Sequence, residues 1–159
     1  MRFLTLMVAL CASFAANAAP PTQKATFVSV HKAAHEMFLY DEKVLLAKFP
    51  IALGQTPVGH KEREGDRKTP EGLYVLDYKN PNSRYHRSIH VSYPNTRDKN
   101  RAKTLGVAPG GDIMIHGQPN GSKYAADELQ RYDWTDGCIG MRNVDMREVW
   151  NLVKDGTLI

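Results

Sequence analysis

Beyond its N-terminal leader the chain alternates short apolar, β-branched runs with turn-forming segments. This rhythm limits its fold more than any other feature. Residues 25–30, 37–40, 44–53, 73–78, 88–93, 112–116 and 157–159 each have the length and composition of a strand. Asp41-Glu42-Lys43, Thr69-Pro70-Glu71-Gly72, Pro94 and Pro109-Gly110-Gly111 punctuate them. In 88–93, Ile89, Val91 and Tyr93 alternate with Ser88, His90 and Ser92, the period of a half-buried strand. Helical spacing is convincing only at 144–153, with Asn143 as its expected cap, and weaker at 98–105 and 125–129. About six or seven strands with one or two helices predict a mainly β domain, a sandwich or curled barrel with the helices packed on it.

The first residues read as an address. Arg2 supplies a positive start, residues 3–14 are apolar, and Ala16-Asn17-Ala18 is a small-residue cleavage site. Residues 1–18 are therefore expected to be a cleaved signal peptide, 19–24 a flexible leader and 25–159 one catalytic-sized domain. The mature protein is expected in the periplasm. The apolar run is too short to span a bilayer, and nothing after it reads as a stable membrane span. The net charge of +4 comes from basic residues interspersed with acidic ones, which argues against a nucleic-acid partner. It suits a weakly anionic polymer. A monomer is expected.

Export gives the cysteines their meaning. The chain has two, Cys11 and Cys138, and cleavage removes the first. A lone cysteine in an exported protein is a reactive thiol, half of an intermolecular bridge, or a small buried hydrophobe. Cys138 follows Gly137 in Asp133-Trp134-Thr135-Asp136-Gly137-Cys138-Ile139-Gly140-Met141-Arg142. Glycine there permits a tight turn whose N–H groups could receive an oxyanion. The helix expected downstream could favour the thiolate. A thiol nucleophile needs a base. Of six histidines, His60 and His86 lie in charged loops and read as solvated, and His90 lies on the polar face of a strand. His116 stands where an apolar strand meets Gly117, the best placement for a side chain held at the mouth of a site, with a backbone carbonyl near Gly117 as its expected partner. His31 and His35 are four apart, but their strand-and-loop context keeps them from converging on a metal. No cofactor or metal is expected.

His116-Gly117 followed by Thr135-Asp136-Gly137-Cys138-Ile139 resembles the signature of the L,D-transpeptidase catalytic domain (YkuD-type) family. Segments 65–74, 89–95, 109–117 and 155–157 are also similar, so the resemblance covers essentially the whole mature chain. It is nearest to an exported branch with a Thr-Pro-Glu-Gly turn and an Asp-Trp-Thr lead-in to the cysteine. The resemblance implies a β-sandwich-like L,D-transpeptidase catalytic fold and a cysteine acyl enzyme acting in cell-wall biogenesis. Its substrates would be peptidoglycan stem peptides, with a wall-attached lipoprotein as a further partner. By position, Cys138 becomes the nucleophile, His116 the base and then acid, and Gly137 an oxyanion donor; His90, Trp134 and Arg142 become candidate substrate contacts.

Three departures stand out. The position two after the cysteine, often Arg or Asn in the family, is Gly140. The loop from His116 to Thr135 is slightly long, and the family's last strand usually continues beyond Ile159. Acyl transfer to an amine and hydrolysis at the diaminopimelate carbonyl both remain open. The competing reading is a non-catalytic peptidoglycan-binding module.

Overall fold

The computed structural model describes residues 23–159. The expected signal peptide, residues 1–18, and most of the leader lie outside them. Eight strands form one sheet: β1 (Phe27–His31), β2 (Glu36–Asp41), β3 (Val44–Pro50), β4 (Val75–Asn80), β5 (Ser88–Val91), β6 (Met114–His116), β7 (Ile139–Gly140) and β8 (Thr157–Leu158). The spatial order is β3-β2-β1-β8-β4-β5-β6-β7. β1 and β2 pair antiparallel from Phe27↔Tyr40 to His31↔Glu36, a register that sends Val28, Met37 and Leu39 inward together. The last strand, β8, enters the middle, parallel to β1 and antiparallel to β4. β6 and β7 are parallel, with Ile115 opposite Ile139 and His116 opposite Gly140.

The sheet is not flat. Just past β3, Ala52 and Gly140 exchange backbone hydrogen bonds, each 2.8 Å, so the chain leaving one edge strand meets the opposite edge. Farther along, Thr135 N donates to Leu53 O at 3.2 Å and Gln55 N to Thr135 O at 3.0 Å. The curl encloses a core of Met37, Leu39, Leu53, Leu76, Ile89, Ile115 and Met141, all fully buried. The mainly β, sandwich-like expectation holds, with both core-facing layers drawn from one curled sheet.

Three α-helices accompany it, where one or two were expected: α1 (Thr96–Leu105), α2 (Ala126–Leu129) and α3 (Asn143–Leu152). α1 was obscured by its charge, since only Asp98 and Ala102 are buried. Local chemistry nevertheless specifies it. Asn95 Oδ1 accepts from the N–H groups of Arg97 and Asp98, Asp98 returns a bond to Asn95 N, and Gly106 ends the helix in the left-handed conformation. α3 places Met146 and Val149 in the core. Its cap is Arg142 rather than Asn143, because the Asn143 side chain is used elsewhere: Oδ1 accepts the Gln118 N–H at 2.8 Å, tying α3 to the segment after β6.

Candidate active site

Cys138 and His116 line one cleft of about 450 Å³. The parallel pairing of β6 with β7 explains this. Met114 N–H donates to Cys138 Sγ at 3.4 Å, and His116, two residues on from Met114, projects from the same face of β6. Ser88, Tyr85, Trp134, Asp112 and Thr135 complete the walls nearest the pair. A second opening of about 480 Å³, lined by Lys61, Gly65, Arg67, Gly110 and Ile113, shares Asp112, Asp136 and Cys138 with the first. The thiol therefore sits on the ridge between two clefts.

The turn carrying Cys138 is held by Thr135, which is buried. Thr135 Oγ1 donates to Cys138 O at 2.7 Å and accepts the Gly137 N–H at 3.2 Å. Gly137 adopts φ +132, and an added Cβ would lie 2.7 Å from Lys68 O, so glycine is required by conformation and by contact. The Gly137 N–H, expected to receive an oxyanion, is committed to Thr135. β7 lies between Cys138 and Arg142, the cap residue of α3.

The surroundings of Cys138 favour the neutral thiol over the thiolate. Burial pushes its pKa above the ordinary value; the Met114 N–H opposes this, while Asp136 and Asp112 add to the rise. Sγ lies 3.6 Å from Asp112 O, an acceptor for the S–H. Asp112 is itself in the left-handed region at φ +53, which follows from the Pro109-Gly110-Gly111 turn before it.

His116 is only 4% exposed. Its Nδ1 is 2.7 Å from Gly117 O. A carbonyl can only accept, so the proton sits on Nδ1 and the Nε2 lone pair is free for a proton from elsewhere. Burial lowers the imidazole pKa and the Gly117 bond partly offsets this, so the ring is neutral near pH 7. Tyr85 covers one side at 4.6 Å between centroids, and Trp134 meets the ring edge-on at 5.4 Å. Gly117 makes this closeness possible. An added Cβ would lie 2.5 Å from Asn143 Oδ1 and 2.8 Å from His86 Cβ.

Trp134 lines the cleft as expected, and it explains Gly140. A Cβ on Gly140 would lie 2.7 Å from Trp134 Cζ2 and 3.2 Å from Thr135 Cγ2. The indole fills the space that a longer residue two after the cysteine would use.

Two expected substrate contacts are elsewhere. Arg142 forms a forked pair with Asp145, Nε–Oδ2 at 2.7 Å and Nη2–Oδ1 at 3.1 Å, and also approaches Asp127 at 3.4 Å. Its neighbour one helical turn away satisfies it, and it does not line the cleft. His90 bonds Asp77 at 2.6 Å and stacks on Tyr78 at 4.6 Å. A register shift in β4 between Leu76 and Lys79 places both partners opposite it, and His90 does not line the cleft. His60 and His86, read as solvated, are half-buried; His60 bonds Asp98 at 3.1 Å and accepts the Glu71 N–H at 3.0 Å. His31 and His35 have separate partners, Ser29 and Asp133. Sequence reasoning missed Tyr85 and Arg84, which lie in a polar loop with no periodicity to mark them.

A half-buried thiol and a buried, tautomer-fixed imidazole thus share one cleft of a curled β domain. The chain belongs to the L,D-transpeptidase catalytic domain family, which it matches over residues 25–159. It is similar to YafK of Escherichia coli (strain K12), itself assigned as an L,D-transpeptidase by name only, with 28% identity over 139 residues, 84% of this chain and 48% of that protein. It is also similar to the helical cell shape determining protein Pgp2 from Campylobacter jejuni: 27% identity, TM-score 0.63, covering 86% of this chain and 47% of that one. The catalytic domain of the Enterococcus faecium L,D-transpeptidase, solved acylated by ertapenem, shares the fold at 15% identity and TM-score 0.53, covering 87% of this chain and 98% of that domain. The chain spans about half the length of YafK and Pgp2.

Replacing Gly140 with alanine should displace Trp134 from His116 while leaving the core intact. The expected outcome is a fall of about tenfold or more in the rate of Cys138 acylation, with thermal unfolding shifted by only a few degrees. Stopped-flow acylation and a thermal melt on the same protein check it; an unchanged acylation rate would show that the indole contact is dispensable.

Proposed function

We propose that the protein is an exported cysteine acyltransferase or hydrolase acting on peptidoglycan stem peptides through a thioester at Cys138. The observation that carries this reading is the convergence of Cys138 and His116 on one cleft, with His116 Nδ1 pinned to Gly117 O so that Nε2 is left as the base. Family membership supports the substrate class.

The chemistry follows from the protonation states. The thiol turns from Asp112 O toward His116, and Nε2 takes its proton as Sγ attacks the carbonyl at the L-centre of diaminopimelate. The negative oxygen is received by the Cys138 N–H, since the Gly137 N–H is engaged. The tetrahedral adduct collapses, His116 gives its proton to the departing amine, and a thioester remains. An acceptor amine or water then loses a proton to His116 and attacks the thioester, and the thiol is restored. Both leaving and entering groups exchange a proton with His116, so both use the cleft that His116 lines. The acyl donor extends through the second opening past Gly110 and Lys61. Asp112 and Asp136, at the junction, suit a cationic amine of the donor.

Export rests on residues 1–18 acting as a cleaved signal. A tagged protein recovered from the periplasmic fraction should begin at Ala19 by N-terminal sequencing. A retained leader would contradict it.

A carbapenem should add its mass to Cys138, and Cys138→Ala should keep the fold and show no adduct or turnover of muropeptides. The active form has a neutral imidazole and one proton on the pair. Because the His116 pKa is lowered and that of Cys138 is raised, acylation should fall on the acid side below the ordinary imidazole range and titrate on the alkaline side above the ordinary thiol range. A profile centred on an acidic thiol would refute the neutral-pair mechanism, and intact muropeptide turnover by the alanine variant would refute the enzyme reading. Incubating the protein with peptidoglycan carrying bound lipoprotein, followed by fragment mass analysis, separates crosslinking, attachment and release.

A further inference from the structure

Among the described residues, Arg84 is the one lysine or arginine lining the cleft shared by Cys138 and His116. It takes no part in the ion pairs found among the described residues. Its backbone is held firmly. Asn120 Nδ2 donates to Ser83 O, Asn120 N donates to Arg84 O, and the His86 N–H donates to Asn120 Oδ1, each at 3.0 Å. The Tyr85 N–H adds a bond to Ser83 Oγ at 3.1 Å. Asn120 follows closely on the strand that carries His116, so this clamp fixes the Arg84 loop relative to the base. The next residue, Tyr85, lies directly against the imidazole.

Among the described residues, the rest of the lining supplies no lysine or arginine to this cleft. Gly140 carries no side chain and its space holds Trp134, while Arg142 is occupied by Asp145. The departing amine must reach His116 Nε2, so the residue to which that amine belongs lies on the His116 side of Cys138. There the fold supplies one uncommitted guanidinium, a planar group suited to a carboxylate.

We propose that Arg84 is a specificity-determining residue that binds the free carboxylate of the leaving amino acid. It binds the carboxylate of an entering amino acid in the same place. The assignment rests on the acyl-transfer reading above. It makes the terminal carboxylate, rather than the side chain of the leaving residue, the feature selected on this side of the scissile bond. The Asn120 clamp is the positioning device.

The test uses two stem tetrapeptides that differ only in the last residue: a D-alanine with a free carboxylate, or its carboxamide. kcat and KM are measured for each on the wild-type protein, Arg84→Gln and Arg84→Lys, by mass spectrometry of the released amino acid or amide. The wild-type protein should prefer the free acid by roughly 10- to 100-fold in kcat/KM, the range of one charge-assisted contact. Arg84→Gln should reduce that ratio to within about threefold, chiefly through KM, and Arg84→Lys should restore part of it. The ratio is internal to each protein, so a general loss of folded enzyme does not imitate the effect. Equal rates on both peptides with the wild-type protein, a preference unchanged in Arg84→Gln, or carbapenem acylation of Cys138 without turnover of either peptide would each overturn the proposal alone. Absence of both acylation and turnover would overturn the acyl-transfer reading, and this proposal with it.

Discussion

The reciprocal backbone bonds between Ala52 and Gly140 are what the rest of the molecule depends on. They join the chain leaving one edge of the sheet to a two-residue strand at the other edge. A strand as short as β7 has little stability of its own. Held on one side by β6 and on the other by Ala52, with Leu53 and Gln55 tied to Thr135 just upstream, it becomes a fixed platform. The cysteine turn stands at the start of that platform and the histidine at the end of its neighbour. Closure of the sheet and assembly of the site are therefore one event.

The site also shows how burial decides between two styles of thiol chemistry. Exposed cysteines beside cations rest as thiolates. Here the half-buried thiol faces a carbonyl acceptor and two nearby carboxylates, and the imidazole is enclosed by Tyr85 and Trp134. Charge separation at rest is disfavoured on both partners. Charge develops only when a substrate carbonyl is present to receive the sulfur. A thiol held this way is less open to indiscriminate oxidation, because its reactive form is scarce.

The strand pattern was legible because period-two alternation and turn residues are local properties. Ile89, Val91 and the Pro109-Gly110-Gly111 turn announce themselves. Cys138 and His116 were legible because each stands at a junction of a rigid element and a glycine. The partners of Arg142 and His90 were not. Proximity in sequence or on a strand face says nothing about which opposite charge will capture a side chain first. Asp145, one turn along α3, captures the arginine; Asp77, re-aimed by the irregularity in β4, captures the histidine. Conversely, α1 was understated because its sequence is charged, although its caps at Asn95 and Gly106 are both strong signals. The Arg84 loop carries no pattern at all. It is defined by Asn120, a residue brought to it only by the pairing of β5 with β6.

The contact between Trp134 and Gly140 constrains descent as well as shape. A side chain at 140 collides with the indole, and loss of the indole leaves a void beside the imidazole. Neither position can change first without cost, so the pair behaves as a single inherited character. The glycine that looks like a missing residue is then the imprint of its neighbour: position 140 is empty in the sequence and full in space.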